Sequence, residues 1–186
     1  MLLDDVAAAL EELGPDKVLR PDYKTRGAHL DVTVAADKVV SLARALREKG
    51  FLLRDLAGVD GTPEMMVVYH FCHPRENCAV QGRALIPREK PELPTIHEVY
   101  PGANWHEREA HDFHGIVFRG HPDLSPLILP EDAGDLRPLL KSEANVRAIG
   151  SLIPEFAPPT PEGAEAEAGA KPRPKKERPP KDEGEA

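Results

Sequence analysis

The sequence is poor in cysteine and contains no long apolar run. Only Cys72 and Cys78 are cysteines among its 186 residues, whereas a cluster held by cysteine alone needs four thiolates. A self-contained iron–sulfur site and a disulfide framework are therefore not expected. No segment reaches the ~18 to 20 apolar residues that span a bilayer, and residues 1–5 lack the basic flank of a signal peptide. These absences predict a soluble chain in a reducing, intracellular compartment.

Motifs for nucleotide binding and for nucleophilic catalysis are also absent. The sequence has no Gly-x-Gly-x-x-Gly fingerprint, no Gly-Lys-Ser/Thr loop and no Gly-x-Ser-x-Gly elbow, so dinucleotide binding, phosphoryl transfer and acyl transfer have no support. A formal net charge of -8 disfavours nucleic-acid binding, which requires clustered Lys and Arg. We therefore expect a chain that binds no nucleic acid and has no catalytic residues of its own.

Hydrophobic periodicity predicts an α+β fold. Apolar residues recur at helical spacing over residues 2–13 and 36–49, and Gly50 stands where a C-terminal helix glycine belongs. Segments with β-rich composition, bounded by turn residues, predict strands at 18–21, 29–35, 51–59, 64–72 and 78–86. The first two strands are expected to form a hairpin and the last three an antiparallel meander. Helices would then pack on one face of a small, mostly antiparallel sheet.

The chain divides into three predicted parts. Residues 1–92 form the α+β domain, and residues 93–156 contain a helix over 105–114 followed by an extended, loop-rich arm. Asn104 is a good N-cap for that helix, and Gly115 is a good residue to end it. The last part, 157–186, has seven prolines and no Val, Ile, Leu, Met or aromatic residue, which predicts a disordered Pro/Glu/Lys-rich tail. The apolar residues of the arm are expected to bury against a partner.

Ionisable residues are densest between Trp105 and Leu124, and one interpretation of this stretch is a metal site. On a helix, Glu107, His111 and His114 fall at i, i+4 and i+7 and share a face, where a carboxylate and two imidazoles could bind one metal ion. The spacing differs from the His-Glu-x-x-His pattern of zinc enzymes, and we favour the explanation that His111 and His114 are partly buried and hydrogen-bonded to neighbouring backbone or carboxylates. A stand-alone metal-dependent enzyme on this helix is the alternative hypothesis for function.

The same stretch resembles the signature of the 30-kDa subunit family of respiratory complex I. That signature joins an acid–base–acid motif and an aspartate to a glycine-rich run and a His-Pro-Asp-Leu corner. The matching residues here are Glu107, Arg108, Glu109, Asp112, Gly115, Ile116, Phe118, Gly120, His121, Pro122, Asp123 and Leu124. The resemblance is specific over residues 93–132 and rests on pattern alone upstream.

The resemblance implies a non-catalytic scaffold subunit in the peripheral arm of a complex I-like redox complex that couples electron transfer to ion translocation. Its implied partners are the large subunit, either 49-kDa-like or of the hydrogenase type, and iron–sulfur subunits. Those partners would hold the iron–sulfur clusters and, in a hydrogenase, a nickel–iron centre. The protein itself would hold no cofactor and would meet the membrane only through the complex, at the cytoplasmic face of the cell membrane.

Three departures from the signature leave the branch of the family open. Phe113-His114, Ser125-Pro126 and Leu140-Lys141 stand where complex I members usually have Leu-Phe, an arginine and Arg-Lys. These changes favour the homologous subunit of membrane-bound, energy-conserving nickel–iron hydrogenases over that of an NADH-quinone oxidoreductase.

The signature residues other than Ile116 are predicted to contact partner subunits. Arg108 is able to form a bidentate pair with a carboxylate, which fixes orientation across an interface. The residues leave a second explanation open, in which Arg108 and Glu109 pair within the domain and Asp123 caps a turn.

Overall fold

The predicted helices and strands appear in the expected order along the chain, and four short elements that were not predicted are added to them. The computed structural model describes residues 2–152, and the predicted tail lies outside them. The helices and strands are α1 (Leu2–Glu11), β1 (Lys17–Leu19), α2 (Tyr23–Arg26), β2 (Leu30–Val34), α3 (Val39–Glu48), β3 (Leu52–Val59), β4 (Glu64–Cys72), β5 (Ala79–Pro87), β6 (Glu92–Pro94), α4 (Ala103–His114), β7 (Val117–Arg119) and α5 (Ile149–Leu152). The α+β class is confirmed.

Five strands form one mixed sheet in the order β1-β2-β5-β4-β3. Strands β3, β4 and β5 make the predicted antiparallel meander, and β1 pairs with β2 in antiparallel fashion, as expected. The pairing of β2 with β5 is parallel. This pairing brings the N-terminal strand pair against the meander, and it makes the sheet mixed but still mostly antiparallel.

The predicted hairpin between β1 and β2 needs a correction. The strands are joined by the helical turn α2 and not by a tight turn. The side chain of Asp22 accepts a hydrogen bond from the backbone N–H of Lys24 (3.1 Å) at the start of this turn, and Gly27 ends it with a φ of +69°. An N-cap aspartate and a left-handed glycine are ordinary helix boundaries, but four residues are too few to show helical periodicity.

Helix α3 ends at the predicted glycine. Gly50 has a φ of +83°, its N–H donates to the carbonyl of Arg47 (3.0 Å), and the N–H of Phe51 donates to the carbonyl of Leu46 (3.0 Å). These two bonds are the Schellman arrangement that closes a helix and turns the chain away from it. The turn delivers Phe51, which is fully buried, into the core at the start of β3.

The main core lies between one face of the sheet and helices α1, α3 and α4, so these three longest helices share one face as predicted, whereas the four-residue helix α5 lies on the other. Residues from all three helices and from β4 belong to the same buried cluster, among them Leu10, Leu46, Ala110, Val67 and Tyr69. The other face has a smaller cluster, in which Ile149 of α5 packs on Met66 and Val68 of β4.

Replacing Gly82 by alanine is expected to destabilise this core. A Cβ atom at Gly82 of β5 would lie 2.7 Å from Cδ2 of Leu42, and Leu42 is itself fully buried. Overpacking of this kind costs about 1 to 3 kcal/mol. Urea unfolding of the full chain measures it, with Gly102→Ala as the control, because a Cβ there meets nothing within 4 Å. An unchanged midpoint for Gly82→Ala would contradict the packing of α3 on β5.

Helix α4 is the crossover of a small parallel unit. Strands β6 and β7 pair in parallel, and a parallel pair requires a connection longer than a turn, here the 12 residues of α4. The helix begins two residues earlier than predicted, and Gly102 is its N-cap in place of Asn104. Gly115 ends it as predicted, with a φ of +72°.

Residues 120–148, which we call the arm, run along α4 without a strand, and a 3-10 turn at Glu131–Ala133 is the only helical turn described within them. The backbone N–H of Leu139 donates to the carbonyl of Phe113 at the end of α4 (3.1 Å). The N–H of Lys141 then donates to the buried carboxylate of Asp60 (2.7 Å). The predicted extended arm is thus present, and it is hydrogen-bonded to the domain at several points.

Candidate interface site

Helix α4 buries a stripe that is half polar. Ala103, Glu107, Ala110 and His114 are three or four residues apart and are all buried, so they share one face of the helix. Trp105 lies on the other side with 69% of its surface exposed. The helix therefore turns ionisable groups towards the interior and its largest apolar side chain towards solvent.

Glu107 joins α4 to the segment that precedes it. The carboxyl group accepts a hydrogen bond from the backbone N–H of Ile96 (2.8 Å) and another from the hydroxyl of Thr95. Burial raises the pKa of Glu107 to about 7, although these two hydrogen bonds act in the opposite direction. Nε2 of His121 lies 3.8 Å from the carboxyl Oε2, and both side chains are fully buried.

Arg108 joins α4 to the start of the arm. Its guanidinium donates to the carbonyl of Ser125 (2.9 Å), to the hydroxyl of Ser125 (3.2 Å) and to the carbonyl of Pro126 (2.8 Å). Arg108 thus has partners within the domain, as the second explanation expects, although these are Ser125 and Pro126 and not Glu109. Contact of Arg108 with a partner subunit stays a prediction.

Asp112 binds the next part of the arm. Its Oδ2 atom accepts hydrogen bonds from the backbone N–H groups of Leu127 (2.9 Å), Ile128 (2.8 Å) and Leu129 (3.2 Å). Burial alone would raise the pKa of Asp112, but the three N–H donors together lower it. A carboxylate that accepts several backbone N–H groups is stabilised in its charged form, so Asp112 fixes the path of the chain at three successive residues.

His121 and Asp123 form the corner that leads into the arm. Nδ1 of His121 accepts a hydrogen bond from the N–H of Asp123 (3.1 Å), and Nε2 is 3.2 Å from the carbonyl of Asn104. The carboxylate of Asp123 accepts a hydrogen bond from the N–H of Ser125 (2.8 Å), which lowers the pKa of Asp123. The interpretation of Asp123 as a turn cap is confirmed.

Several of the remaining predicted interface residues also shape the chain. Phe118 is buried in the core, Gly115 and Gly120 have positive φ values, and Leu124 packs half-buried against the core. Pro122, Asp123 and Glu109 are exposed. Contact of these residues with partner subunits stays a prediction.

The three residues of the metal hypothesis contact different parts of the structure. Glu107 contacts Thr95 and Ile96. Nδ1 of His111 is 2.9 Å from the carbonyl of Ile116. The ring of His114 packs so close to Gly58 that a Cβ atom added there would lie 3.0 Å from Nδ1 of the ring. Among residues 2–152, no three His, Cys, Asp or Glu side chains are placed to hold a metal ion. The geometry therefore gives the metal hypothesis no support.

An open groove lies beside the exposed face of α4. It has a volume of about 1070 Å³ and is lined by residues before α4, on α4 and in the arm, including His97, Pro101, Trp105, Glu109, Leu127 and Ile128. Ile128 is 55% exposed. We call this feature the Trp105 groove.

Sequence reasoning misses both the groove and the partners of the signature side chains. Thr95 and Ser125 bind Glu107 and Arg108 from positions 12 and 17 residues away, and such pairings leave no periodic signal. Trp105 is predicted only as the start of a helix. On a helical wheel, Trp105 lies opposite the stripe of Ala103, Glu107 and Ala110. This position is the feature of the sequence that could have indicated its exposure.

The residues that form α4 and the start of the arm lie within a stretch that matches a known protein family. A family model described as "Respiratory-chain NADH dehydrogenase, 30 Kd subunit" matches residues 32–146. The chain belongs to this family. The expectation drawn from the signature is thus confirmed, and the match extends upstream into the sheet.

Two relatives of the chain are both C subunits of an NADH-quinone oxidoreductase. The first, from Roseiflexus castenholzii, is 39% identical over 144 residues, which cover 71% of this chain and 80% of that protein. The second, from Streptomyces coelicolor, is 34% identical over 139 residues, which cover 69% of this chain and 55% of the relative. The chain thus spans a variable share of its relatives' lengths.

Two solved structures share the fold. A trypsin-resistant fragment (1–134) of Nqo5 superposes with a TM-score of 0.56 at 29% identity, covering 67% of this chain and all of the fragment (100%). A component of the membrane-bound sulfane sulfur reductase, an archaeal respiratory membrane complex, superposes with a TM-score of 0.64 at 23% identity, covering 90% of this chain and 98% of that one. At that identity the second likeness shows the fold alone.

Membership of this family shows that the protein is part of a multisubunit complex. The family is that of a subunit of a multisubunit, complex I-like respiratory complex, so the prediction that the protein acts with partner subunits is confirmed at that level. Within residues 2–152, no helix combines the length and the apolar character needed to cross a membrane.

Proposed function

We propose that the protein is a non-catalytic scaffold subunit in the peripheral arm of an NADH-quinone oxidoreductase of the complex I type. One observation carries the proposal: Arg108 and Asp112 bind the arm to α4 through six hydrogen bonds, three each. These bonds fix an irregular chain whose apolar side chains Ile128, Leu136 and Leu139 are more than half exposed. An ordered apolar surface of this kind is typical of a subunit interface.

The partners follow from the same proposal. The large 49-kDa-like subunit and the iron–sulfur subunits would cover the arm, and those subunits would hold the iron–sulfur clusters while this protein holds no cofactor. The complex would place the protein at the cytoplasmic face of the cell membrane and couple electron transfer to ion translocation. The three departures from the signature favour the hydrogenase branch of the family. The names of the relatives favour the quinone-oxidoreductase branch instead, and we follow the relatives.

Arg108→Ala and Asp123→Ala are expected to impair assembly more than folding. Each change removes hydrogen bonds to Ser125, so the start of the arm loses its fixed path while the sheet stays intact. For Arg108→Ala we expect recovery of the complex to fall about tenfold, equivalent to roughly 1.4 kcal/mol. The measurement is the yield of assembled complex per folded chain when the full-length protein is produced together with the other subunits.

Arg119→Ala is the matched control. Arg119 is exposed on β7, and its side chain makes no hydrogen bond or ion pair within the described residues, so assembly should be unchanged. Normal assembly of the Arg108→Ala variant, if turnover were lost, would contradict a scaffold role and would indicate a direct role in the chemistry.

A further inference from the structure

Trp105 and Glu109 lie one turn apart on the exposed side of α4, at the edge of the Trp105 groove. Residues at this spacing are neighbours, with Cβ atoms about 5 to 6 Å apart. The indole is 69% exposed, and the carboxylate of Glu109 has no hydrogen-bond or ion-pair partner among residues 2–152. The groove thus offers a bare aromatic face beside a carboxylate with no described counter-ion.

The walls of the groove are fixed by the signature side chains. Glu107 binds Thr95 and Ile96, which precede the wall residues on that side. Asp112 binds the backbone of Leu127 and Ile128 directly. Segments far apart in sequence are therefore held around α4 by buried polar groups. Order of this kind reduces the entropy lost when a partner binds.

The charge and shape of the groove indicate what occupies it. A guanidinium or ammonium group binds an indole face within about 6 Å of the ring centre, and the carboxylate of Glu109 would pair with the same cation. Leu127 and Ile128 add an apolar wall to the groove. Tryptophan and arginine are also among the residues that most often dominate binding energy at interfaces. The matching ligand is a basic side chain flanked by apolar ones.

Two other occupants fit less well. Between residues 153 and 186 the only Val, Ile, Leu, Met or aromatic residues are Ile153 and Phe156, and the first Lys or Arg is Lys171. This segment therefore does not offer a basic side chain flanked by large apolar ones. A second copy would bring another molecule with a net charge of -8 against Glu109, which like-charge repulsion disfavours.

We propose that the Trp105 groove binds a segment of another subunit that presents an arginine or lysine between apolar side chains, with the cation stacked on Trp105 and paired with Glu109. The inference rests on the proposed function, because it assumes that the protein works inside a complex. It names a surface and a partner chemistry that the scaffold role alone leaves open.

Site-specific cross-linking in the purified complex tests the proposal. A photo-reactive phenylalanine analogue replaces Trp105 in the full chain, and the cross-linked peptide is identified by mass spectrometry. The control probe replaces Tyr23, which is exposed on α2 between the strands at the opposite edge of the sheet. We expect the probe at position 105 to label a segment of another subunit that contains both basic and apolar residues.

Single substitutions test the two contacts separately. Trp105→Ala should weaken retention of the protein in the complex roughly thirtyfold, as for an interface hot spot. Trp105→Phe should retain part of the affinity because it keeps an aromatic face. Glu109→Gln should weaken retention a few-fold and make it less sensitive to salt, and Glu109→Arg should weaken it more. Urea unfolding of each full-length variant shows whether these substitutions leave the fold unchanged.

The outcomes separate this inference from the proposed function. Cross-links from position 105 to residues 153–186, to a second copy, to a segment without a basic residue, or to nothing in an intact complex would overturn the inference and leave the scaffold role standing. Unchanged retention of both Trp105→Ala and Glu109→Arg would do the same. Failure of the wild-type protein to co-purify with any other subunit would overturn the proposed function and this inference together.

Discussion

Replacing Asp112 by alanine is expected to release the arm from α4 while the five-stranded sheet stays folded. One carboxylate oxygen binds three successive N–H groups of the arm, and hydrogen bonds to a charged group contribute about 1.5 to 3 kcal/mol. Loss of one such contribution opens the local structure roughly tenfold to a hundredfold more often. Amide hydrogen exchange of Leu127, Ile128 and Leu129 in the full chain measures this opening.

The amides of β4 and β5 provide the internal reference for that experiment. These strands are central in the sheet, and their exchange should not change in Asp112→Ala. Asp112→Asn keeps one acceptor oxygen but loses the charge, so we expect an intermediate rate. Asp132→Ala is the control, because Asp132 is exposed in the arm and its side chain lacks a described hydrogen bond. Faster exchange throughout β4 and β5 would show that Asp112 supports the whole domain.

The strands and the long helices were predictable because their signals are local. Val39, Leu42, Ala43 and Leu46 recur at helical spacing and are all buried, and Gly50 marks the end of that helix as predicted. The parallel pairing of β2 with β5 was not predictable in this way. Which strands become neighbours depends on how α3 packs over the sheet. Hydrophobic periodicity indicates where a strand lies but not which strand it pairs with.

The candidate site was predictable in identity but not in orientation. The signature marks Glu107, Arg108 and Asp112 as one group of residues, and the structure shows all three binding neighbouring segments. From the sequence alone these side chains are expected to be exposed, because ionisable residues are rarely buried. In the structure Glu107 and Asp112 are buried because backbone N–H groups of the preceding segment and of the arm satisfy them. These partners come from irregular chain, whose path no periodic pattern describes.

The exposure of Trp105 follows from the residues that α4 buries. A tryptophan near the start of an amphipathic helix is ordinarily a core residue, yet here the core positions are taken by Ala103, Glu107 and Ala110. Small residues and a satisfied carboxyl group let α4 lie close to β3, where His106 and Asp55 approach to 3.5 Å. The large apolar side chain is left on the solvent side, where the arm and α4 form the groove.

Replacing Glu107 by glutamine is expected to stabilise the full chain at alkaline pH relative to the wild type. The carboxyl group ionises with an ordinary pKa of 4.5 when exposed, and burial raises this pKa to about 7 in the folded chain. Between these values the folded chain keeps a proton that the unfolded chain has released. The stability contributed by this proton is complete below pH 4.5 and is lost as the pH rises through about 7.

The size of the effect follows from the difference between the two pKa values. One pKa unit corresponds to about 1.36 kcal/mol, so the wild type should lose on the order of 3 kcal/mol from this group between about pH 4.5 and 8. Glutamine has no proton to release and keeps an acceptor for the N–H of Ile96. Urea unfolding of both proteins at about pH 5, 6, 7 and 8 should show a difference that grows with pH in favour of the variant.

The neighbouring His121 decides the sign of that difference. A protonated imidazole 3.8 Å from Glu107 Oε2 would stabilise the carboxylate, and Glu107→Gln would then be less stable than the wild type at alkaline pH. Burial lowers the pKa of His121, which keeps the ring neutral there and leaves the carboxylate without a counter-charge.

Glu107→Ala should be destabilised at every pH, because it leaves the buried N–H of Ile96 without its acceptor. A pH-independent difference between wild type and glutamine variant would show that Glu107 ionises as an exposed acid, and α4 would then bind residues 95–96 through a charge.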